Sequence, residues 1–146
     1  MEDLKRILLV EDDERDIDLT LAAFAEINIA NKIDIVRDGE EALDYLYKRA
    51  NYKKRTSGNP VVILLDLKMP KVDGLEVLKQ IKENDKLRNI PVVILTSSKM
   101  ESDLIISYEL GVNAYVVKPV DFDNFMTAIK ELGSFWALLN ETPADI

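Results

Sequence analysis

Four polar sites carry the residues best suited to chemistry: Glu11-Asp12-Asp13, Asp66, Thr96 and Lys118. Two carboxylates about 4 Å apart repel by roughly 4 kcal/mol at an effective dielectric near 20, so acids gathered in one place call for a cation. With only oxygen donors on offer the matching ion is hard. A site with few carboxylates that keeps some water favours Mg²⁺ over a calcium cage. Asp66 is then suited to attack phosphorus, because a carboxylate nucleophile needs no proton removed. The oxygens of a phosphoryl group would meet Mg²⁺, the Lys118 ammonium and the Thr96 hydroxyl. Taken singly, each residue has a plainer reading: Asp13 as a helix cap, Thr96 as a strand-end hydroxyl, Lys118 as a surface cation. Their joint placement is what points to phosphoryl chemistry.

Composition narrows the options further. The 146 residues contain no histidine and no cysteine, which excludes an imidazole base, a thiolate nucleophile, a disulfide framework and a zinc ribbon. A formal net charge of -8, from 19 basic and 27 acidic residues, argues against direct nucleic-acid binding. The first apolar run, Ile7 to Val10, is too short for a signal-peptide core, and no run approaches a membrane span. The expected setting is soluble and cytoplasmic, without membrane insertion.

The elements that must position these residues follow from the apolar pattern. Runs at Ile7–Val10, Ile33–Val36, Val61–Leu65, Val92–Leu95 and Ala114–Val117 read as five strands. The first, third and fourth are apolar throughout, as parallel strands covered on both faces should be. Helical spacing lies between them at Ile17, Leu21 and Phe24; Leu43, Leu46 and Tyr47; Leu75, Leu78 and Ile81; and Leu104, Ile105 and Tyr108. Right-handed crossovers put the helices on both faces, giving a three-layer α/β sandwich. Asp38 is expected to cap the second helix, and Gly111 to end the fourth. The four polar sites all follow strands, so they converge on the carboxyl edge, where open parallel sheets bind ligands.

The segments Leu9-Val10-Glu11-Asp12-Asp13, Leu64 to Gly74, Leu95-Thr96-Ser97-Ser98 and Ala114 to Pro119 together resemble the receiver domain of two-component response regulators. The resemblance covers nearly the whole chain. It implies a flavodoxin-type (CheY-like) fold, a five-stranded parallel sheet of order 2-1-3-4-5, with Asp66 as the residue phosphorylated from a histidine kinase. It further implies Asp12 on Mg²⁺ directly, Glu11 through water, and the Lys68 carbonyl as a further ligand. By the same resemblance Thr96 and Tyr115 form the switch, and Lys68 and Ser98 flank the path of the hydrolytic water. Such a domain is a signalling module rather than an enzyme, with autophosphorylation from small donors and slow self-dephosphorylation. A narrower similarity, to the stand-alone regulators associated with bacterial phytochromes, implies a phytochrome-type sensor kinase as partner.

Residues 1–133 are expected to form the receiver and 134–146 a tail extending the last helix, with no separate output domain. Phe122, Phe125, Met126, Ile129, Leu132, Trp136 and Leu139 keep helical spacing through Gly133. A helix from Asp121 to Asn140 would be roughly 30 Å long and outrun the sheet. Phe135, Trp136, Leu138 and Leu139 would then meet a partner or a second copy, a homodimer formed through the fourth and fifth helices, the fifth strand and the tail; the plainer alternative is a tail folded back on its own core. The basic stretch Lys48–Pro60 is expected to be a solvated loop, with contact to a partner as the lesser alternative.

Three other readings compete. A haloacid dehalogenase-type enzyme would need an acid where Lys68 stands, and a flavin or nucleotide binder would need glycines where Glu11-Asp12-Asp13-Glu14-Arg15 is acidic. A non-catalytic scaffold or dimerisation module on the receiver fold is the third.

Overall fold

Alternate residues of a strand point to opposite faces, and here that period of two sorts the apolar side chains into two separate cores. The computed structural model describes residues 6–26, 31–67, 69, 71–96, 109–112, 114–118 and 121–131. Its elements run β1 (Ile7–Val10), α1 (Glu14–Glu26), β2 (Ile33–Val36), α2 (Gly39–Tyr47), a 3₁₀ turn (Ala50–Tyr52), β3 (Val62–Asp66), α3 (Gly74–Glu83), β4 (Val92–Thr96), β5 (Ala114–Val117) and α4 (Phe122–Glu131). All five strands are parallel, in the order β2-β1-β3-β4-β5. The order and the flanking helices are those of the expected three-layer α/β sandwich.

Leu8 and Val10 of β1, Ile63 and Leu65 of β3, and Val92 and Ile94 of β4 face one side, where Leu43 and Leu46 of α2 and Leu78 and Ile81 of α3 cover them. Ile7, Leu9, Leu64, Val93 and Leu95 face the other, beneath Ile17 and Phe24 of α1 and Phe125 and Ala128 of α4. Phe24 and Phe125 meet edge to face, with ring centres 4.8 Å apart, and pin α1 to α4. Fully apolar runs were therefore needed in the central strands, since both faces are buried. The edge strand β2 is only half-covered and tolerates Asp34.

The loops at the carboxyl edge are fixed by capping. Asp13 accepts from the backbone N–H groups of Arg15 (2.8 Å) and Asp16 (3.1 Å) at the start of α1. Asp38 accepts from Glu41 (2.7 Å) at the start of α2, and Asp73 from Glu76 (3.0 Å) at the start of α3. Gly74 packs so closely on the chain leaving β3 that a Cβ there would lie 2.2 Å from the Asp66 carbonyl oxygen. Its N–H donates to the Leu67 carbonyl at 2.8 Å, locking α3 against the end of β3. Gly111 takes φ +92°, the left-handed conformation expected where a helix ends before β5.

Two expectations need correction. The third and fourth strands run one residue further than the apolar pattern suggested, because backbone pairing continues through Asp66 and Thr96; the register sets Asp66 opposite Leu95 and Thr96 opposite Val117. The segment Lys48–Pro60 is not simply a solvated loop. Its lysines are exposed, but Tyr52 packs edge to face on Tyr45 at 5.2 Å and donates to Glu41 at 2.7 Å. Arg55 lies 4.1 Å over the Tyr45 ring and donates to the carbonyls of Tyr45, Ser57 and Gly58 and to the Ser57 hydroxyl. The expected fourth helix around Leu104, Ile105 and Tyr108 and the tail 134–146 lie outside the described residues.

Candidate metal and phosphoryl site

Glu11 follows β1, Asp66 ends β3, Thr96 ends β4 and Lys118 follows β5, so one sheet edge gathers side chains from positions far apart in sequence. Glu11 is wholly buried, Asp66 and Thr96 are nearly so, and Asp12 is exposed. One carboxylate oxygen each from Glu11, Asp12 and Asp66 lies within 4.8 Å of the others, an arrangement that could hold a metal ion. Asp13 turns away to cap α1, the plainer role that its position also allowed.

Lys118 is the positive counterpart. Its Nζ stands 2.7 Å from Glu11 Oε1, 3.1 Å from Asp16 Oδ2 and 3.2 Å from Asp66 Oδ2, with only 11% of the side chain exposed. Its backbone N–H donates to the Thr96 carbonyl at 2.8 Å, joining the ends of β4 and β5. Glu11 Oε2 accepts from the Asp13 N–H at 3.2 Å. Oε1 has the ammonium beside it but no well-aligned hydrogen-bond donor.

Burial pushes the Glu11 carboxyl up to about 7; the Lys118 ammonium works against this, while a hydrogen bond and the charge of Asp66 reinforce it. Burial works to lower Lys118, but Glu11, Asp66 and Asp16 outweigh it and hold the ammonium above the ordinary lysine value. Among the described residues the acid trio and Asp16 share one ammonium, which leaves negative charge in excess. A buried carboxylate oxygen without an aligned donor and a neighbouring acid trio fit a hard divalent cation better than they fit an empty, dry pocket.

The expected switch residue Tyr115 is on β5 with 37% of its surface exposed. Lys68, Ser98, Phe135, Trp136, Leu138 and Leu139 lie outside the described residues. Asp16 was not among the expected site residues. Its signal was available in the helix phase: it precedes the core residue Ile17 and is four positions before Thr20, itself fully buried. Only the folded chain puts it against Lys118.

A doubly wound parallel sheet bearing an acid trio, a hydroxyl and a lysine at its carboxyl edge defines a domain of receiver type. Residues 7–130 match the response regulator receiver domain, and the chain belongs to that family. It is 61% identical to the bacteriophytochrome response regulator RtBRR, whose structure superposes with a TM-score of 0.86 over 96% of this chain and 84% of that one. It is 41% identical over 140 residues to the response regulator Rcp1 of Synechocystis sp., covering 96% of this chain and 94% of Rcp1. The crystal structure of the Mn²⁺-bound form of Rcp1 gives a TM-score of 0.78, with 94% and 96% of the two chains covered. The phosphorylated cyanobacterial phytochrome response regulator RcpA is 39% identical, with a TM-score of 0.78 and 96% and 99% coverage. Among the described residues no helix is long and apolar enough to cross a membrane.

Proposed function

We propose that this receiver domain accepts a phosphoryl group on Asp66 from a sensor histidine kinase, in a reaction that depends on Mg²⁺, and signals through its altered surface to a partner protein. The observation that carries this reading is the Asp66 carboxylate at the bottom of the carboxyl edge, flanked by Glu11 and Asp12 and 3.2 Å from the Lys118 ammonium. Phosphorylated RcpA and Mn²⁺-bound Rcp1 support it from the side of the relatives.

In the transfer, an Asp66 oxygen forms the new O–P bond while the P–N bond of a phosphohistidine breaks. The electron pair leaves with the imidazole, so Asp66 needs no base. Asp12 would hold the cation directly and Glu11 through water, with Asp66 and the Lys68 carbonyl completing the protein ligands. When bound, the divalent cation neutralises the carboxylates and a phosphoryl oxygen, which lets a charged donor approach. Lys118 takes a second oxygen and the Thr96 hydroxyl donates to a third. Thr96 and Tyr115 then form the switch: contacts made in the phosphorylated state alone bias a loop and a ring between two positions. Lys68 and Ser98 tune hydrolysis.

The kinship with bacteriophytochrome and phytochrome response regulators supports a phytochrome-type kinase as the donor. Receiver residues 1–133 and tail 134–146 form the division, and Phe135, Trp136, Leu138 and Leu139 supply a contact for a second copy or a partner. Intact-mass measurement with acetyl phosphate and Mg²⁺ tests the core of this reading. One phosphoryl group added to the wild type and none to Asp66→Asn is the expected result. No addition to the wild type, or equal addition to both, overturns it and leaves the receiver-fold scaffold.

A further inference from the structure

Of the three carboxylates around Lys118, two have other work in the proposed reaction. Glu11 belongs to the acid trio, and Asp66 becomes the acyl phosphate. Asp16 belongs to neither group: it comes from the first turn of α1, and its Oδ2 reaches the ammonium at 3.1 Å from outside the trio.

Its placement is fixed from both sides along the helix. The Asp13 carboxylate accepts from the Asp16 N–H at 3.1 Å, and the Asp16 carbonyl accepts from the buried Thr20 hydroxyl at 2.8 Å. Lysine has a flexible four-carbon stem and a point charge that can be shared, and here the ammonium sits within 3.2 Å of an oxygen of each of three carboxylates. With Glu11 engaged by a cation and Asp66 turned into an acyl phosphate, two of these contacts must be remade. The third stays.

We infer that Asp16 is a positioning residue for phosphoryl transfer, an anchor on α1 that keeps the Lys118 ammonium aimed at the phosphoryl oxygens while Glu11 and Asp66 change partners. This rests on the proposed receiver reading. Asp16 stands outside the acid trio and meets the Lys118 ammonium; it acts through Lys118. An acid in the first turn of a helix also interacts favourably with the helix dipole, which would be a purely structural role. The test must separate the two.

The phosphorylation rate with acetyl phosphate is measured at saturating Mg²⁺ and donor in wild type, Asp16→Asn, Lys118→Ala and the double variant. Mg²⁺ affinity and melting midpoint are measured alongside, and Asp18→Asn, an exposed acid of the same helix, controls for the change in charge. The expected result is a roughly tenfold loss of rate in Asp16→Asn, short of the roughly hundredfold that a 1 Å misplacement can cost. Mg²⁺ affinity should stay within about twofold, Asp18→Asn should match the wild type, and Asp16→Asn should add no loss in the Lys118→Ala background. A wild-type rate in Asp16→Asn, an equal loss in Asp18→Asn, or the same loss with and without Lys118 overturns the inference alone. A wild-type chain that accepts no phosphate overturns the receiver reading and the inference with it.

Discussion

The carboxyl edge of the sheet and the Lys48–Pro60 segment at its amino end both concentrate charge, and they handle it in opposite ways. From Tyr45 to Leu65 the sequence has no acid but five cations: Lys48, Arg49, Lys53, Lys54 and Arg55. The three lysines stay exposed, Arg49 pairs with Asp44 at 2.7 Å, and Arg55 gives its donors to backbone carbonyls and a hydroxyl. That segment uses charge to shape its own backbone. The carboxyl edge instead buries Glu11 and Asp66 beside one lysine and leaves an acid oxygen without an aligned donor. It holds electrostatic repulsion that a bound cation would relieve. Fixed hydrogen bonds build structure; unmet charge builds a site.

The contrast can be tested by shifting the charge at each end, beginning with pH. A carboxyl held higher in the folded chain than in the unfolded one binds more protons when folded. Its stabilising effect is complete below its ordinary value and fades as pH rises. For Glu11 this window runs from 4.5 to about 7, so the metal-free protein should lose up to about 3 kcal/mol across it. Urea titrations at several pH values would show the slope, and Glu11→Gln should flatten it. An unchanged slope in that variant would show that the buried acid carries no such strain.

Divalent metal should reverse the penalty. At about a hundredfold excess over its dissociation constant, Mg²⁺ should stabilise the wild type by about 2.7 kcal/mol. Asp12→Ala should melt higher than the wild type without metal and gain nothing from it. A full Mg²⁺ response in that variant would remove Asp12 from the metal site.

At the opposite end the prediction carries the other sign. Arg55→Ala should cost about 2 kcal/mol, read as a lower urea midpoint with phosphorylation intact, because the partly buried Tyr45 carbonyl loses both of its charged donors from the guanidinium. Stability unchanged within error would mean that water replaces the guanidinium. The smallest effect belongs to Tyr52→Phe, which removes one hydrogen bond to Glu41 and should cost about 1 kcal/mol by the same titration.

Much of this was open to reading without coordinates. Uninterrupted apolar runs at Ile7–Val10 and in β3 and β4 demanded a sheet covered on both faces, and the acids after β1 together with Asp66 pointed to a cluster that could share a cation. Other parts were less visible. Pairing to the end of β3 and β4 depends on neighbouring strands, which set Asp66 opposite Leu95 and Thr96 opposite Val117. The local apolar pattern stops one residue too soon to show it. The basic loop looked like a solvated stretch because its composition is polar; the folding of Arg55 over Tyr45 depends on a partner ten positions away in the chain.

By itself the sequence determined which residues could bear a phosphoryl group and a metal, because those choices follow from side-chain chemistry and from the absence of histidine and cysteine. It also determined the α/β class, because burial of a strand on one face or both is written in its pattern of apolar residues. The tertiary structure alone decided how Lys118 divides itself among Glu11, Asp16 and Asp66. It decided too that Asp13 serves a helix while Asp12 joins the acid trio. The physical reason is range. Helical phase and apolar period are local, whereas an electrostatic site is a sum over groups that only the crossing of several strands brings within a few ångströms of one another.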